Sequence, residues 1–231
     1  MFLRTLVVWA IGITVTFMLF PFAVFSSLID RSGNSVHLIA RLWSGILLFL
    51  SGARVEVKGV ENIPRGPAVF ISNHRGAFDI PVLQTRLPIQ FRWVATKGLF
   101  KIPIVGWAMS LAGYIAMDRQ NSEDAVRTIE KAAGKIKGGM PVLVFPEGTR
   151  NESEKLLSFK RGAFILAVKS SAPIVPVAIK GTEAIMKRGS VVIHPASVRV
   201  SIGKPIEVDG FSENELRKIT KEAIERGLSS I

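Results

Sequence analysis

Between Thr5 and Ile29 the chain carries no charged side chain. Coiled as a helix, this run is about 37 Å long, enough to cross a bilayer or to lie tilted within it. Pro21 could kink it. The run is too long for the apolar centre of a cleaved signal peptide, and no A-x-A cleavage site follows. Asp30-Arg31-Ser32-Gly33-Asn34-Ser35 then forms a polar turn. The second apolar stretch, Val36 to Ala53, is different. His37 and Arg41 lie one turn apart on the same helical face, and the uncharged part, Leu42 to Ala53, is short for a span and closer to an interfacial or re-entrant helix. Residues 1–53 therefore read as a membrane-associated helical hairpin. If both its ends lie on one side, Arg54, Lys58 and Arg65 place the following residues, 54–231, on the cytoplasmic face.

Those following residues are strongly basic. The whole chain has 30 Lys and Arg against 18 Asp and Glu, a net of +12. Residues 1–53 hold only Arg4, Arg31 and Arg41 against Asp30, a net of +2, so the remaining +10 belongs to the rest. A basic domain joined to an apolar end suits an anionic membrane surface or anionic substrates. Nucleic acid is not the expected partner. No single helix or loop concentrates the Lys and Arg, and Tyr114 is the only tyrosine, so no stacking platform is evident. The chain has no cysteine, which excludes disulfides, thiolate metal sites and a cysteine nucleophile, and fits a reducing compartment.

From Arg54 onward short apolar runs alternate with helical ones. Arg54–Val60, Ala68–Ile71, Phe91–Ala95, Tyr114–Met117, Pro141–Phe145, Ile174–Ile179 and Val191–His194 read as strands, and Val198–Ile202 alternates like an edge strand. Ile80–Leu87, Asn121–Lys137 and Phe159–Ser170 read as helices, the second capped by Asn121 or Ser122 and stopped by Gly138-Gly139. Lys97–Leu111 is a broken amphipathic segment. Ser212-Glu213-Asn214-Glu215 is a capping-box opening to a last helix. Strands separated by helices predict an α/β domain over 54–231, with a mixed, largely parallel central sheet flanked by helices, joined to the N-terminal apolar two-helix anchor. In such sheets chemistry gathers at the loops that leave the strand C-termini.

One such loop follows Ala68–Ile71: Ser72-Asn73-His74-Arg75-Gly76-Ala77-Phe78-Asp79. A neutral imidazole at a strand end can accept a proton, and a nearby carboxylate can hold its other ring nitrogen. The same residues would also serve as a capping turn with Asp79 opening a helix, and the loop alone leaves both readings open. Two further loops stand in the same relation to a strand: Tyr114–Met117 runs into Asp118-Arg119, and the strand ending at Phe145 runs into Pro146-Glu147-Gly148-Thr149-Arg150. If these strands are neighbours, Arg119, Glu147 and Arg150 face the side that carries His74. Arg150 can grip a phosphate through two parallel N–H groups, which Lys cannot copy. Lys97, after a fourth strand, could add a second positive charge. Glu147 could accept hydrogen bonds from a polyol, and Gly148 lets the backbone approach a ligand. Taken singly, each is as readily a solvated charge or an ordinary turn. The chain lacks G-x-S-x-G, H-E-x-x-H and a Walker A loop. His74, Asp79 and Glu147 can be imagined as metal ligands, but no metal is expected. His37 and His194 read as structural.

Asn73-His74 with Asp79, Gly113-Tyr114-Ile115 to Arg119, Phe145-Pro146-Glu147-Gly148-Thr149-Arg150 and Val175-Pro176-Val177 together resemble the four ordered motifs of the glycerolipid acyltransferases. The match is closest to the bacterial 1-acyl-sn-glycerol-3-phosphate acyltransferases. Phe159-Lys160-Arg161-Gly162-Ala163-Phe164 also resembles a block after the third motif. Ala116 and Met117 stand where the family often has a bulkier pair, which touches pocket shape and not the chemical groups. The resemblance implies that His74 takes the proton from the sn-2 hydroxyl of lysophosphatidate and that Asp79 orients His74. The alkoxide would attack the thioester of acyl-CoA or acyl-carrier protein directly, giving phosphatidic acid without a covalent acyl-enzyme. Lys97 and Arg150, assisted by Arg119, would hold the acceptor phosphate, and Glu147, Gly148 and Thr149 would line its pocket. No cofactor is implied beyond the acyl donor as co-substrate. Membrane lipids become the expected surroundings, on the cytoplasmic face of the inner membrane. Acylation of glycerol 3-phosphate, a lysophospholipid or a lyso-ornithine lipid is the alternative, and a non-catalytic lipid-binding protein the more distant one.

Overall fold

The computed structural model describes residues 2–118, 122–153 and 155–231. Two helices open the chain: α1 (Phe2–Ile29) and α2 (Asn34–Ser51). They run antiparallel. The Arg4 guanidinium reaches the Ser51 carbonyl at one end (3.4 Å), and the Trp43 indole donates to the Thr16 hydroxyl at 2.9 Å further along. At the connection, Asp30 accepts the backbone N–H groups of Ser32 (2.9 Å) and Ser35 (2.8 Å), which starts α2. Gly52, in the left-handed region at φ 72, closes it.

The remaining elements follow in order: β1 (Arg54–Lys58), β2 (Val69–Ser72), α3 (Asp79–Arg86), β3 (Arg92–Thr96), α4 (Val105–Leu111), β4 (Ile115–Met117), α5 (Ser122–Lys137), β5 (Val142–Val144), α6 (Gly162–Ser170), β6 (Ile174–Lys180), α7 (Thr182–Ile185), β7 (Ser197–Ile202) and α8 (Glu213–Ser229). The strands form one sheet in the order β1-β7-β6-β2-β5-β3-β4. Every pairing is parallel except β6 with β7. This is the mixed, largely parallel sheet expected from the alternation. The capping box at Ser212 and Glu215 is present at the start of α8.

Strand pleating divides the core. Val69 and Ile71 of β2 point to one face, where they meet Ile129 and Ile136 of α5, Phe164 of α6 and Ile224 of α8. Phe70 points to the other, with Val82 and Leu83 of α3, Leu48 of α2 and Val8 of α1. All four residues of β2 are buried because both faces of the sheet are covered. The N-terminal helices thus form part of one layer. Within that layer Arg41 of α2 is tied to α3, its guanidinium donating to the carbonyls of Thr85 (2.8 Å) and Leu87 (3.0 Å) at the helix C-terminus.

Two sequence expectations are corrected. Val191–His194 is not a strand. Its backbone pairs with α1 side chains instead: the Trp9 indole donates to the Val191 carbonyl at 2.8 Å, and the Ile193 N–H to the Thr5 hydroxyl at 3.0 Å. β7 is not an edge strand, since it lies between β1 and β6. Its alternation arises because Val198, Val200 and Ile202 are buried on one face while Ser197 and Arg199 are exposed on the other. Alternation reports one covered face, not a position in the sheet. The N-cap expected at Asn121 lies outside the described residues.

Candidate active site

β2 ends beside β6, and Asn73 locks that end. Its side-chain amide donates to the Ile179 carbonyl (2.9 Å) and accepts the Ile179 N–H (2.8 Å), copying a strand pairing. His74, the next residue, is held by its backbone on both sides. Its N–H donates to Glu147 Oε1 at 2.9 Å, and its carbonyl accepts the Asn151 N–H at 2.8 Å. The loops after β2 and β5 are therefore one structure at the His74 backbone.

The imidazole is fixed as firmly. Nδ1 lies 2.6 Å from Asp79 Oδ2. A carboxylate at this distance accepts the Nδ1 proton, which leaves the lone pair on Nε2. The ring face stacks on Phe145, centroids 4.1 Å apart and planes 11° apart, and Phe145 stacks in turn on Trp93 at 5.5 Å. The Trp93 indole donates to Gln84 Oε1 at 2.5 Å, which holds the far end of the stack to α3. His74 keeps 16% of its side-chain surface open, while Asp79 is fully buried. The loop is a tight turn into α3 and a His–Asp pair at once, because one carboxylate binds both the loop backbone and the imidazole, while no side chain caps α3.

Asp79 accepts more than the imidazole. Oδ2 also takes the N–H groups of Arg75 (2.6 Å) and Gly76 (3.1 Å), and Oδ1 takes the Thr182 hydroxyl. These donors fix the carboxylate in one orientation. Gly76 is needed for the approach, since a Cβ there would stand 3.0 Å from the Thr182 backbone. Beside the pair, Arg75 bonds Glu183 at 2.8 Å and also donates to the Ser153 carbonyl. Burial pushes the Glu183 carboxyl up, but the hydrogen bond and charge of Arg75 and the N–H of Gly181 outweigh it, and the carboxyl lies below its ordinary value.

Because β2, β5, β3 and β4 are parallel neighbours, the loops leaving their C-termini share one rim. That rim carries His74, the segment Glu147 to Arg150, Lys97 and Asp118. Glu147 is buried and committed to the chain, with Oε2 accepting Asn151 Nδ2 (3.2 Å) and the Leu157 N–H (3.0 Å). Gly148 adopts φ 77. Thr149 and Arg150 are exposed at the rim. Lys97 Nζ lies 3.8 Å from Asp118. Arg119 lies outside the described residues. Among the described residues, no three His, Asp or Glu side chains converge as a metal site.

Sequence reasoning did not single out Thr182, Trp93 or the Arg75–Glu183 pair. Thr182 is 103 positions from Asp79, and no local pattern announces such a contact. Phe145 stood inside a quoted motif, but its stacking on the imidazole depends on the β2–β5 register.

Residues 54–180 match the protein-family model described as Acyltransferase. The chain is 39% identical over 173 residues to the chloroplastic 1-acyl-sn-glycerol-3-phosphate acyltransferase LPAT1 of Arabidopsis thaliana, covering 74% of this chain and 48% of that protein. It is 32% identical over 197 residues to a 1-acyl-sn-glycerol-3-phosphate acyltransferase of Saccharomyces cerevisiae, covering 84% and 65%. The chain thus spans only about half to two thirds of the length of these relatives. Among solved structures, the 1-acyl-sn-glycerophosphate (LPA) acyltransferase PlsC of Thermotoga maritima superposes with a TM-score of 0.86 at 31% identity, covering 99% of this chain and 95% of that one.

Proposed function

Because the chain belongs to the acyltransferase family, we propose that it transfers a fatty acyl group from acyl-CoA or acyl-carrier protein to the sn-2 hydroxyl of 1-acyl-sn-glycerol 3-phosphate, making phosphatidic acid. The observation that carries the chemistry is the His74–Asp79 pair on the strand rim, with the lone pair left on Nε2. His74 Nε2 takes the hydroxyl proton as the oxygen attacks the thioester carbonyl. The carbon–sulfur bond breaks, the thiolate leaves, and the imidazolium returns the proton to it. Asp79 holds the ring and stabilises the imidazolium. Arg150 and Lys97, with Arg119, hold the acceptor phosphate, and Gly148 and Thr149 line the acceptor pocket. Glu147 acts by binding the His74 N–H and the Asn151–Leu157 loop, so its role is positioning.

The two apolar N-terminal helices suggest membrane association. In this reading residues 1–53 form the membrane-associated unit and 54–231 the acyltransferase domain, on the cytoplasmic face of the inner membrane. The hairpin rests along the domain from the Thr5–Ile193 bond to the Phe20–Trp107 contact, and the outer side of α1 exposes Leu6, Ile13, Phe17, Phe22 and Phe25. That arrangement favours immersion in one leaflet over a span standing clear of the domain.

The test is thiol release. The purified protein in mild detergent receives lysophosphatidate and palmitoyl-CoA, and free CoA is followed with a thiol reagent, to which the cysteine-free chain adds no background. Lysophosphatidate-dependent release is expected, falling by about 10²-fold or more in His74→Ala while the protein stays folded and membrane-bound. Equal activity of variant and parent overturns the mechanism. Faster release with glycerol 3-phosphate or another lysolipid replaces the acceptor. Repeating the assay with acyl-carrier protein ranks the donors.

A further inference from the structure

The segment between β3 and β4 presents a second apolar surface outside the hairpin. After Lys97, a 3-10 turn over Leu99–Lys101 runs into α4. Leu99, Ile102, Val105 and Trp107 are 41%, 44%, 39% and 56% exposed. Single exposed apolar residues need no explanation, but four large ones within nine positions form a patch. The backbone between them is held in a costly shape. Ile104 has φ 65 and ψ −59, and the Val105 N–H donates to the Pro103 carbonyl at 2.7 Å, a γ-turn on a β-branched residue.

Two observations say what covers this patch. The first is continuity: the Trp107 ring lies against Phe20 of α1, centroids 6.0 Å apart, so the outer face of the hairpin runs on over α4. The second is charge. Residues 102–117 contain no ionisable acid or base other than Tyr114, while an exposed Lys101 stands within the patch and Lys97, 3.8 Å from Asp118, at its edge. An apolar surface with a basic margin matches the boundary of an anionic bilayer, where apolar groups enter the acyl region and ammonium groups reach the phosphates.

We infer that residues 99–107 are a second membrane-inserting element, a wedge that enters the same leaflet as the hairpin. This rests on the membrane placement of the hairpin proposed above. A hairpin alone would let the domain roll about the axis of α1. A second line of contact, starting at the rim that carries Lys97, stops the roll and turns that rim toward the lipid.

The hairpin alone can hold the chain on a vesicle, so binding is the wrong readout and depth is the right one. The chain has no cysteine, so Val105→Cys, Leu28→Cys and Phe211→Cys each give a single site for an environment-sensitive fluorophore on the full-length protein. Leu28 is on α1, and Phe211 is an exposed residue of the turn before α8. The labelled proteins are mixed with phosphatidylcholine–phosphatidylglycerol vesicles, with and without brominated acyl chains. The expected result is a blue shift and bromolipid quenching at 105 and 28, and neither at 211. A shift at 28 alone overturns the wedge and leaves the hairpin reading standing. No shift at 28 or 105 overturns both. Equal shifts at all three show that the label itself enters lipid, and also overturn the inference. Leu99→Ser with Ile102→Ser supplies an independent measurement. Activity on vesicle-borne acceptor should fall several-fold with activity on detergent-dispersed acceptor unchanged, and equal loss in both overturns the proposal.

Discussion

A general base is effective only if its lone pair points where the proton will be, and three contacts set that direction for His74. Asp79 holds the ring edge, Phe145 holds the ring face, and Glu147 with Asn151 holds the backbone. The face contact is the one that chemistry alone would not demand, and it can be removed without touching a polar group. Phe145→Leu keeps an apolar side chain but loses the flat surface. Its kcat should fall about tenfold to a hundredfold, with the KM for lysophosphatidate nearly unchanged, in steady-state assays at saturating donor. A rise in KM with kcat intact would mean that Phe145 shapes the pocket rather than the base. At this scale the sequence was informative where the residues are close along the chain. His74 and Asp79 are five positions apart, and their pairing needs only one tight loop. Thr182 and Gln84 act on the same group of residues through contacts that exist only once the sheet is assembled.

At the scale of elements, Arg41, a charged side chain within the anchor, binds α2 to the end of α3. Arg41 satisfies the last carbonyls of α3, which otherwise lack helical partners. Arg41→Leu should lower the melting temperature in detergent by about 3 to 10 °C, and Arg41→Lys should recover only part of it, because an ammonium cannot serve two carbonyls in the same fork geometry. The Arg75–Glu183 pair ties the loop after β2 to α7, and it titrates. The Glu183 carboxyl is lowered in the folded protein, so its stabilisation is complete above the unfolded value and is lost as pH falls through the folded one. The fall in melting temperature below about pH 4.3 should therefore be shallower in Arg75→Met than in the parent. The element types were legible from periodicity, but the place of β7 was not. Its alternating pattern records a covered face and an open one, and an interior strand beside a helix-poor surface shows the same pattern as an edge.

For the whole molecule, two attractions toward a bilayer act on different surfaces. The apolar face of α1 supplies one, and the net charge of +12, of which +10 lies beyond residue 53, supplies the other. Salt screens only the second, over a Debye length of about 10 Å at 0.1 M. Raising ionic strength should therefore leave the protein sedimenting with phosphatidylglycerol vesicles while lowering its activity on vesicle-borne acceptor. Release of the protein into the supernatant would show that charge, not the hairpin, holds it there.

The bonds from Thr5 to Ile193 and from Trp9 to Val191 also bear on how the chain comes off the ribosome. The two ends of the first bond are 188 positions apart. At ordinary elongation rates the later partner emerges roughly 10 to 40 s after the earlier one. Through that interval α1 can rest on α2, which follows it directly, but the strip of α1 around Thr5 and Trp9 still awaits its partners. Lipid, or a chaperone standing in for it, shelters that strip and the outer face during synthesis, and only about the last sixth of the chain gives the strip back to the protein.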